Sequence, residues 1–309
     1  MSQKIEKKAA AKKTLLKMYK QRHLYALLLP SLLVVFFFNY CPMPGIVMAF
    51  QDFSIFRGLW GSEWVGLDNV RKIFSQSEFT TAIWNTLKVS MLDLLISFPA
   101  PIILALLINE IKNVKFKKFV QTASYLPHFL SWMAVIGMVQ VIFGSQGLFN
   151  DIRLFFGATD RITPLAEQKN FIWFLSLLTL WKGVGWGTIV HLAGLAGINP
   201  ELYEAAEVDG AKHLQKMWYI TLPHMLPTCV ILLIFRMGSV FGSNFQLVYG
   251  LQNPFIDFET ISTIVYKTGI QNGNYSMASA IGFTEGIVSL ILVVVTNWVA
   301  KKITGSGIW

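Results

Sequence analysis

Charged residues are scarce in this sequence of 309 residues, of which only 14% are Asp, Glu, Lys or Arg. Soluble domains carry about 25% charged residues, whereas 54% of this chain is hydrophobic and its mean hydropathy is +0.51. The charge deficit excludes an ordinary soluble domain, although the length alone would allow two. The composition therefore predicts an integral membrane protein.

Sequence motifs for chemistry are also missing. No G-x-x-x-x-G-K-[ST] phosphate loop occurs, so ATP would have to bind another chain. The chain contains no H-E-x-x-H, no Cys/His metal spacing and no G-x-S-x-G elbow, which disfavours a membrane-embedded enzyme. Cys41 and Cys229 fall at opposite membrane faces in the topology below, so we expect no internal disulfide. We predict no catalytic and no metal-binding residues.

Six apolar stretches are long enough to cross a bilayer core, which needs about 20 residues. They lie near 24–50, 82–108, 120–143, 171–197, 226–249 and 277–300. No small-residue cleavage site follows the first stretch, so we expect it to remain in the mature protein. The predicted fold class is an all-α integral membrane protein, with six transmembrane helices in one domain over residues 24–309.

The Lys and Arg residues of the loops predict the orientation of the spans. Sixteen lie on one side and seven on the other, and the richer side is expected in the cytoplasm. This rule places both termini and the loop 198–225 in the cytoplasm.

Eight of the cations belong to a basic N-terminal segment, residues 1–23: Lys4, Lys7, Lys8, Lys12, Lys13, Lys17, Lys20 and Arg22. No nucleic-acid recognition module follows this segment, so we interpret it as contacting anionic lipid. Its Leu15, Leu16, Met18 and Tyr19 suit a short amphipathic helix in the interface, with plain disorder as the alternative.

The loop 198–225 begins with the signals of a helix. Asn199 suits the N-cap, Pro200 suits the first helical position, and Gly210 suits a left-handed C-terminal cap. A second helical stretch is predicted from Lys212 to about Ile220, and Pro223 is expected to break the chain. A helix this short is marginal alone, so we expect it to dock on a partner.

At these residues the loop resembles the EAA loop of bacterial binding-protein-dependent ABC importer permeases. The matching pattern is Glu-Ala-Ala, then Gly four residues later, then Ile and Leu-Pro, although Trp218 stands where Phe is more usual. The resemblance implies that the following residues couple the chain to an ATPase: Glu204, Ala205, Ala206, Asp209, Gly210, Ile220, Leu222 and Pro223. The alternative is an ordinary connector with a chance Glu-Ala-Ala.

Segments 42–45, 49–53 and 60–69 are similar to the lipoprotein/polysaccharide branch of carbohydrate permeases. That resemblance implies a MetI-like core in spans two to six and a non-enzymatic subunit of the bacterial cytoplasmic membrane. It implies a second homologous permease, two cytoplasmic ATPases that bind ATP and Mg, and an extracellular solute-binding protein, often lipid-anchored. The expected cargo is a carbohydrate, with oligosaccharides favoured, and this chain itself would bind no cofactor.

Four charges, Asp93, Lys182, Arg236 and Glu285, fall near mid-depth in the predicted spans. Such residues face the bundle interior or a water-filled path, so ion pairs and a role in the substrate path are both consistent with the sequence. We predict that a substrate path includes the following residues: Trp181, Lys182, Trp186, Arg236, Asn244, Phe245, Gln246, Tyr249 and Glu285. For the aromatic residues, packing or interface anchoring is the alternative.

Two further hypotheses concern the late spans. An ion- or proton-coupled secondary transporter would use Asp93 and Glu285 as carriers, but it leaves the loop 198–225 without a role.

Three pairs of glycines at four-residue spacing predict close helix packing in the C-terminal half: Gly183 and Gly187, Gly238 and Gly242, and Gly282 and Gly286.

Overall fold

A computed structural model of the chain describes residues 17, 19–242, 244–305 and 307–308. Leu15, Leu16 and Met18, three of the four apolar residues of the predicted interfacial helix, therefore lie outside the described residues, as does most of the basic segment. Within that segment, Arg22 donates a hydrogen bond of 3.1 Å to the hydroxyl of Tyr19 and also lies over its ring.

The chain is built almost entirely of helices. The first apolar segment comprises α1 (Arg22–Val35), a π-helical turn (Phe36–Tyr40) and a 3-10 helix (Met43–Phe50). Strands β1 (Gln51–Asp52) and β2 (Glu63–Trp64) flank helix α2 (Gly58–Gly61) and form a two-residue antiparallel ladder. This ladder is the small departure from the all-α prediction within the described residues.

The middle of the chain contains two further spans and their connections. Helix α3 (Asp68–Ser75) precedes a long segment of α4 (Ser77–Leu92), a π-helical turn (Asp93–Ser97) and α5 (Pro99–Glu110). Then follow α6 (Val114–Tyr125), a 3-10 turn (Leu126–Phe129), α7 (Trp132–Phe143), α8 (Leu148–Phe155) and a 3-10 turn (Pro164–Ala166).

The last part begins with the 29-residue helix α9 (Gln168–Ala196). Helices α10 (Pro200–Val208) and α11 (His213–Lys216), a π-helical turn (Met217–Thr221) and α12 (Leu222–Gly238) follow. The chain then forms α13 (Phe245–Leu251), α14 (Ile261–Tyr266), a π-helical turn (Lys267–Gln271) and α15 (Tyr275–Thr304).

Five helical segments of the described chain are long and apolar enough to cross a membrane: Arg22–Phe50, Ser77–Glu110, Trp132–Phe155, His213–Gly238 and Tyr275–Thr304. Helix α9 exceeds the required length of about 20 residues, but Lys182, His191 and repeated Gly and Trp lower its hydropathy. With α9 as the sixth, the predicted multi-pass helical architecture is confirmed.

Two predicted span boundaries are wrong. The stretch 120–143 is not one helix, because α6 ends before Pro127 and α7 begins only at Trp132. The stretch 226–249 also divides, because α12 ends at Gly238 and α13 starts at Phe245. A continuous apolar run hid both breaks, since hydropathy alone does not register a change of helix direction.

Two ends of the bundle are distinguished by the loop 198–225. We call the end that carries this loop the loop end and the opposite one the far end. One cluster of buried side chains at the loop end, the loop-end cluster, joins α5, α9 and α12: Ala105, Leu195, Ile198 and Met225. Two larger clusters pack the rest of the bundle, one around Phe171 and Leu247 and the other around Ile73 and Phe241.

Glycine residues allow α9 to pack closely against its neighbours, but only some of the predicted glycine pairs contribute to close packing. A Cβ at Gly185 would lie 2.0 Å from the carbonyl oxygen of Ser124, and one at Gly187 would lie 2.9 Å from Pro101. Of the predicted pairs, Gly238 has a neighbour at 3.0 Å, in Val293, whereas Gly183, Gly282 and Gly286 face open space in this chain. The close approach of α9 therefore depends on Gly185, which the four-residue pattern omitted, and on Gly187, which it included.

We predict that Gly185→Ala destabilises the bundle by about 1–3 kcal/mol, because the added methyl group overlaps the backbone of α6. Gly183→Ala is the matched control, since its methyl group meets no atom within 4 Å and Ala favours a helix by about 1 kcal/mol over Gly. Thermal unfolding of the detergent-solubilised protein measures both. Equal stability of the two variants would contradict the close contact.

Candidate coupling loop and translocation path

The first helix of the loop, α10, has both caps that the sequence predicted. The Asn199 side chain accepts a hydrogen bond of 3.1 Å from the amide of Glu201, and Pro200 occupies the first helical position. Gly210 has φ of 74°, and the amide of Ala211 returns to the carbonyl of Ala206 at 2.8 Å. This left-handed cap ends the helix and turns the chain toward α11.

One face of α10 points away from the bundle. Glu201, Glu204, Ala205 and Val208, spaced as one helical stripe, are all exposed, and Val208 is 89% exposed. No residue of α10 is buried, so this exposed stripe combines one apolar side chain with two acids. Sequence analysis identified Glu204 and Ala205 but not Val208.

Polar contacts fasten the loop to the membrane helices. The hydroxyl of Tyr203 lies 3.0 Å from that of Thr221, which is buried at the start of α12. His213 Nε2 lies 2.8 Å from a carboxylate oxygen of Glu110, the last residue of α5. The His213 contact reaches a span that is distant in sequence, so the sequence pattern gave no sign of it, whereas Tyr203 and Thr221 are 18 residues apart within the loop.

A third contact lies within the loop, between Lys216 and Glu207. The ammonium group of Lys216 donates a hydrogen bond to the Glu207 carboxylate, and this bond lowers the pKa of that carboxyl group. The pair bridges α10 and α11.

The prediction that Pro223 breaks the chain is wrong. Residues His213–Gly238 form one continuous helical segment, and Pro223 lies at the second position of α12. A proline normally clashes with the carbonyl four residues earlier, and here the wider π-helical turn Met217–Thr221 precedes it and accommodates its ring. Ile220 and Tyr203 also pack against the loop-end cluster. Helix α11, the π-helical turn and α12 thus form one continuous helical segment.

Two cavities lie along the interior of the bundle, between α4–α5, α9 and α12. The far cavity has a volume of about 170 Å³ and is lined by residues such as Ser90, Ser176 and Asn244. The loop-side cavity has a volume of about 470 Å³ and is lined by residues such as Ser97 and Trp186. Four residues line both: Asp93, Thr179, Arg236 and Ser239.

An ion pair lies at the boundary between the two cavities. Arg236 Nη2 contacts Asp93 Oδ2, and this pair joins the π-helical turn after α4 to the end of α12. The predicted pairing of mid-membrane charges is therefore confirmed for two of the four groups. The pair places both a cation and an anion in the walls of both cavities.

Three oxygen atoms in these walls are buried without a hydrogen-bond partner among the described residues: Asp93 Oδ1, Ser97 Oγ and Ser176 Oγ. Burying an unpaired polar atom costs about 1–3 kcal/mol. Polar atoms left in this state beside a cavity are available to a ligand or to water. Ser97 and Ser176 were not recognised in the sequence, where a lone serine carries no signal.

Helix α9 carries three of the predicted path residues, and they point in different directions. Trp186 lines the loop-side cavity and stacks on His128 with ring centroids 4.3 Å apart. Lys182 is buried outside both cavities, where its ammonium group donates to the His128 carbonyl at 2.8 Å and lies over the Trp132 ring. Trp181 is exposed on the outer surface.

The predicted path residues at and within α13 also lie in different surroundings. Asn244 lines the far cavity and caps α13 by accepting a hydrogen bond of 3.2 Å from Leu247. Phe245 and Tyr249 stack on each other and contact Tyr266 in an aromatic cluster, and Gln246 is exposed. None of these three side chains lines the two cavities.

Glu285 lies apart from the other predicted path residues. It lines a separate apolar cavity of about 180 Å³, together with Ile73, Phe79 and Ile264. No hydrogen bond or ion pair of Glu285 occurs within the described residues. The structure therefore brings together Trp186, Arg236 and Asn244, with Asp93 added, and leaves the other predicted path residues elsewhere.

Membrane-length helices, a polar path interrupted by one ion pair, and a helical loop fastened at one end define a membrane transport permease. The model of the family "Binding-protein-dependent transport system inner membrane component" matches residues 97–304. The chain belongs to this family, and it is a non-enzymatic, multi-pass membrane subunit of an ABC transport system.

Individual relatives agree with this assignment. The chain is 41% identical over 308 residues to the polygalacturonan/rhamnogalacturonan transport system permease protein YteP of Bacillus subtilis (strain 168), covering 99% of this chain and 96% of that protein. It is 40% identical to Protein LplB of the same organism, over 94% of this chain and 92% of that one.

A solved structure is also similar. A chain of a bacterial alginate ABC transporter, crystallised in complex with an alginate pentasaccharide-bound periplasmic protein, matches with a TM-score of 0.84 and 36% identity. The match covers 94% of this chain and 98% of that chain. The predicted MetI-like permease fold is thereby confirmed.

We predict that Tyr203→Ala weakens the attachment of α10 and destabilises the loop by about 2 kcal/mol, because it removes both the Thr221 contact and the packing on the loop-end cluster. Leu202→Ala is the matched control, since that side chain is exposed on the same helix. Hydrogen exchange of the α10 amides measures the change. Unchanged protection in Tyr203→Ala would contradict the fastening.

Proposed function

We propose that this permease carries a carbohydrate, with oligosaccharides as the favoured cargo, across the bacterial cytoplasmic membrane. An extracellular solute-binding protein delivers the cargo, and a second homologous permease completes the translocation path. The observation that supports ATP-driven transport is the exposed stripe of α10, a helix that contacts the base of α12 through Tyr203 and Thr221. Motion imposed on this stripe would reach the path through that contact and then along the continuous helical segment His213–Gly238.

Two ATPase subunits bind ATP and Mg on the cytoplasmic side and dock on the stripe of Glu201, Glu204, Ala205 and Val208. The loop end therefore faces the cytoplasm, in agreement with the excess of Lys and Arg in that set of loops. With this orientation both termini are cytoplasmic. The far cavity then opens toward the binding protein and the loop-side cavity toward the cytoplasm.

The carbohydrate assignment has two supports. Two of the similar permeases are named for polygalacturonan/rhamnogalacturonan and for arabinooligosaccharides. The cavity walls also carry the groups that sugars need, with hydroxyl and amide groups at Ser90, Ser176 and Asn244 and an aromatic face at Trp186.

A proton-coupled carrier is not favoured. Its two expected carriers lie in separate cavities, since Asp93 is paired with Arg236 and Glu285 faces an apolar space. Such a carrier also has no use for an exposed, doubly capped helix in a loop. The family assignment favours ATP-driven transport.

We predict that Glu204→Lys reduces cargo-stimulated ATP turnover of the assembled transporter at least tenfold, because it reverses a charge on the docking stripe. Charge pairs at an interface contribute about 1.5–7 kcal/mol of coupling. Glu204→Gln should give a smaller loss. ATP hydrolysis by the reconstituted complex, with and without loaded binding protein, measures both variants.

Glu207→Gln is the control, since its carboxylate pairs with Lys216 inside the loop. We expect this variant to keep most of the stimulation. Membrane insertion should be equal in all three variants. Normal stimulation in Glu204→Lys would refute docking through this stripe.

A further inference from the structure

The Asp93–Arg236 pair lies where two cavities adjoin, since both side chains line both cavities. A solute that moves from one cavity to the other would therefore pass beside the pair. The Asp93 side chain is 11% exposed, whereas the Arg236 side chain is 41% exposed. The guanidinium group is therefore the accessible member of the pair.

The pair uses only part of the binding capacity of each group. Arg236 contacts Asp93 through Nη2 and Oδ2, although a guanidinium group presents a fork that suits both oxygens of a carboxylate. Within the described chain its other nitrogens form no hydrogen bond, and Asp93 Oδ1 is buried without a partner. A second carboxylate therefore has free donors on Arg236 to bind.

Two neighbouring hydroxyl groups could donate hydrogen bonds to Asp93 when it is no longer paired with Arg236. Ser97 lies on the same π-helical turn as Asp93, and its Oγ is buried without a partner. Ser176 Oγ, in the far cavity, is also unpartnered, and Ser176 is only 2% exposed. A released Asp93 needs hydrogen-bond donors, since an uncompensated buried charge is costly.

We propose that Arg236 binds the carboxylate of an acidic, uronate-containing oligosaccharide in exchange for Asp93. Without cargo, the ion pair closes the path between the cavities. A cargo carboxylate replaces Asp93 on the guanidinium group, and Ser97 donates a hydrogen bond to the released Asp93. Arg236 thus selects anionic sugars. This inference rests on the proposed carbohydrate transport and names its substrate class.

Lys182, a buried cation among the described residues of the bundle, does not suit this role. The ammonium group of Lys182 is held by the carbonyl of His128 and the ring of Trp132, and it lines neither cavity. Lys182→Gln therefore provides a control in which one buried positive charge is removed away from the path.

The test compares the uptake of trigalacturonic acid and its fully methyl-esterified form by the complete transporter in proteoliposomes. The two probes share one backbone and differ only in carboxylate charge. Removing Arg236 alone leaves Asp93 unpaired, which threatens folding, so the main variant is the neutral double substitution Asp93→Asn/Arg236→Gln. The variant to compare it with is Asp93→Asn alone, which keeps Arg236.

We expect the double variant to lose acid uptake about tenfold or more relative to the ester, on the scale of one charge-assisted hydrogen bond. Asp93→Asn should keep the acid preference and reach half-maximal uptake at a lower acid concentration, because no carboxylate has to be displaced. Lys182→Gln should keep the wild-type preference.

Two results would overturn the exchange. If the double variant transports both probes with the wild-type ratio, Arg236 does not select the carboxylate, while carbohydrate transport stands. If the wild-type complex transports only the ester, the substrate class is wrong. If the wild-type complex takes up neither probe and no other oligosaccharide, the proposed function is wrong, and the exchange is then wrong as well.

Discussion

The cost of placing charge inside a membrane bundle constrains the rest of this structure. An uncompensated buried charge is costly, and Asp93 is buried, so its pair with Arg236 holds α12 against the turn between α4 and α5. That turn is π-helical, and a π-helical turn changes the direction in which side chains project. The polar path exists because these two helices carry their charges to the same level. The two cavities are the spaces left on either side of the pair.

The same helix joins this pair to the loop. Helix α12 begins at the base of the loop and reaches Arg236 after 14 further residues, about 21 Å along the axis at 1.5 Å per residue. At its start, Thr221 contacts Tyr203, and Met225 packs in the loop-end cluster. A displacement of α10 would therefore move the base of α12, and a rigid α12 would transmit it to the ion pair. Helix α12 therefore connects the docking loop to the ion pair in the path.

Several local features were predicted from the sequence because each depends on residues close together in the chain. The caps of α10 at Asn199 and Gly210 follow from side-chain and backbone preferences of single residues, and both were confirmed. Errors arose where context decided. Pro223 was expected to break the chain, yet the preceding π-helical turn accommodates its ring. Gly185 was missed because close packing depends on which face of α9 meets Ser124.

By itself the sequence determined that this chain is a multi-pass helical membrane protein with a helical loop of the importer-permease type, because composition, length and caps are local properties. Only the tertiary structure decided which of the mid-membrane groups act together. Asp93, Trp186, Arg236 and Asn244 share one path, whereas Lys182, Tyr249 and Glu285 lie outside it. The physical reason is that a helix presents its residues around the full circle, and only packing selects the face that lines a cavity.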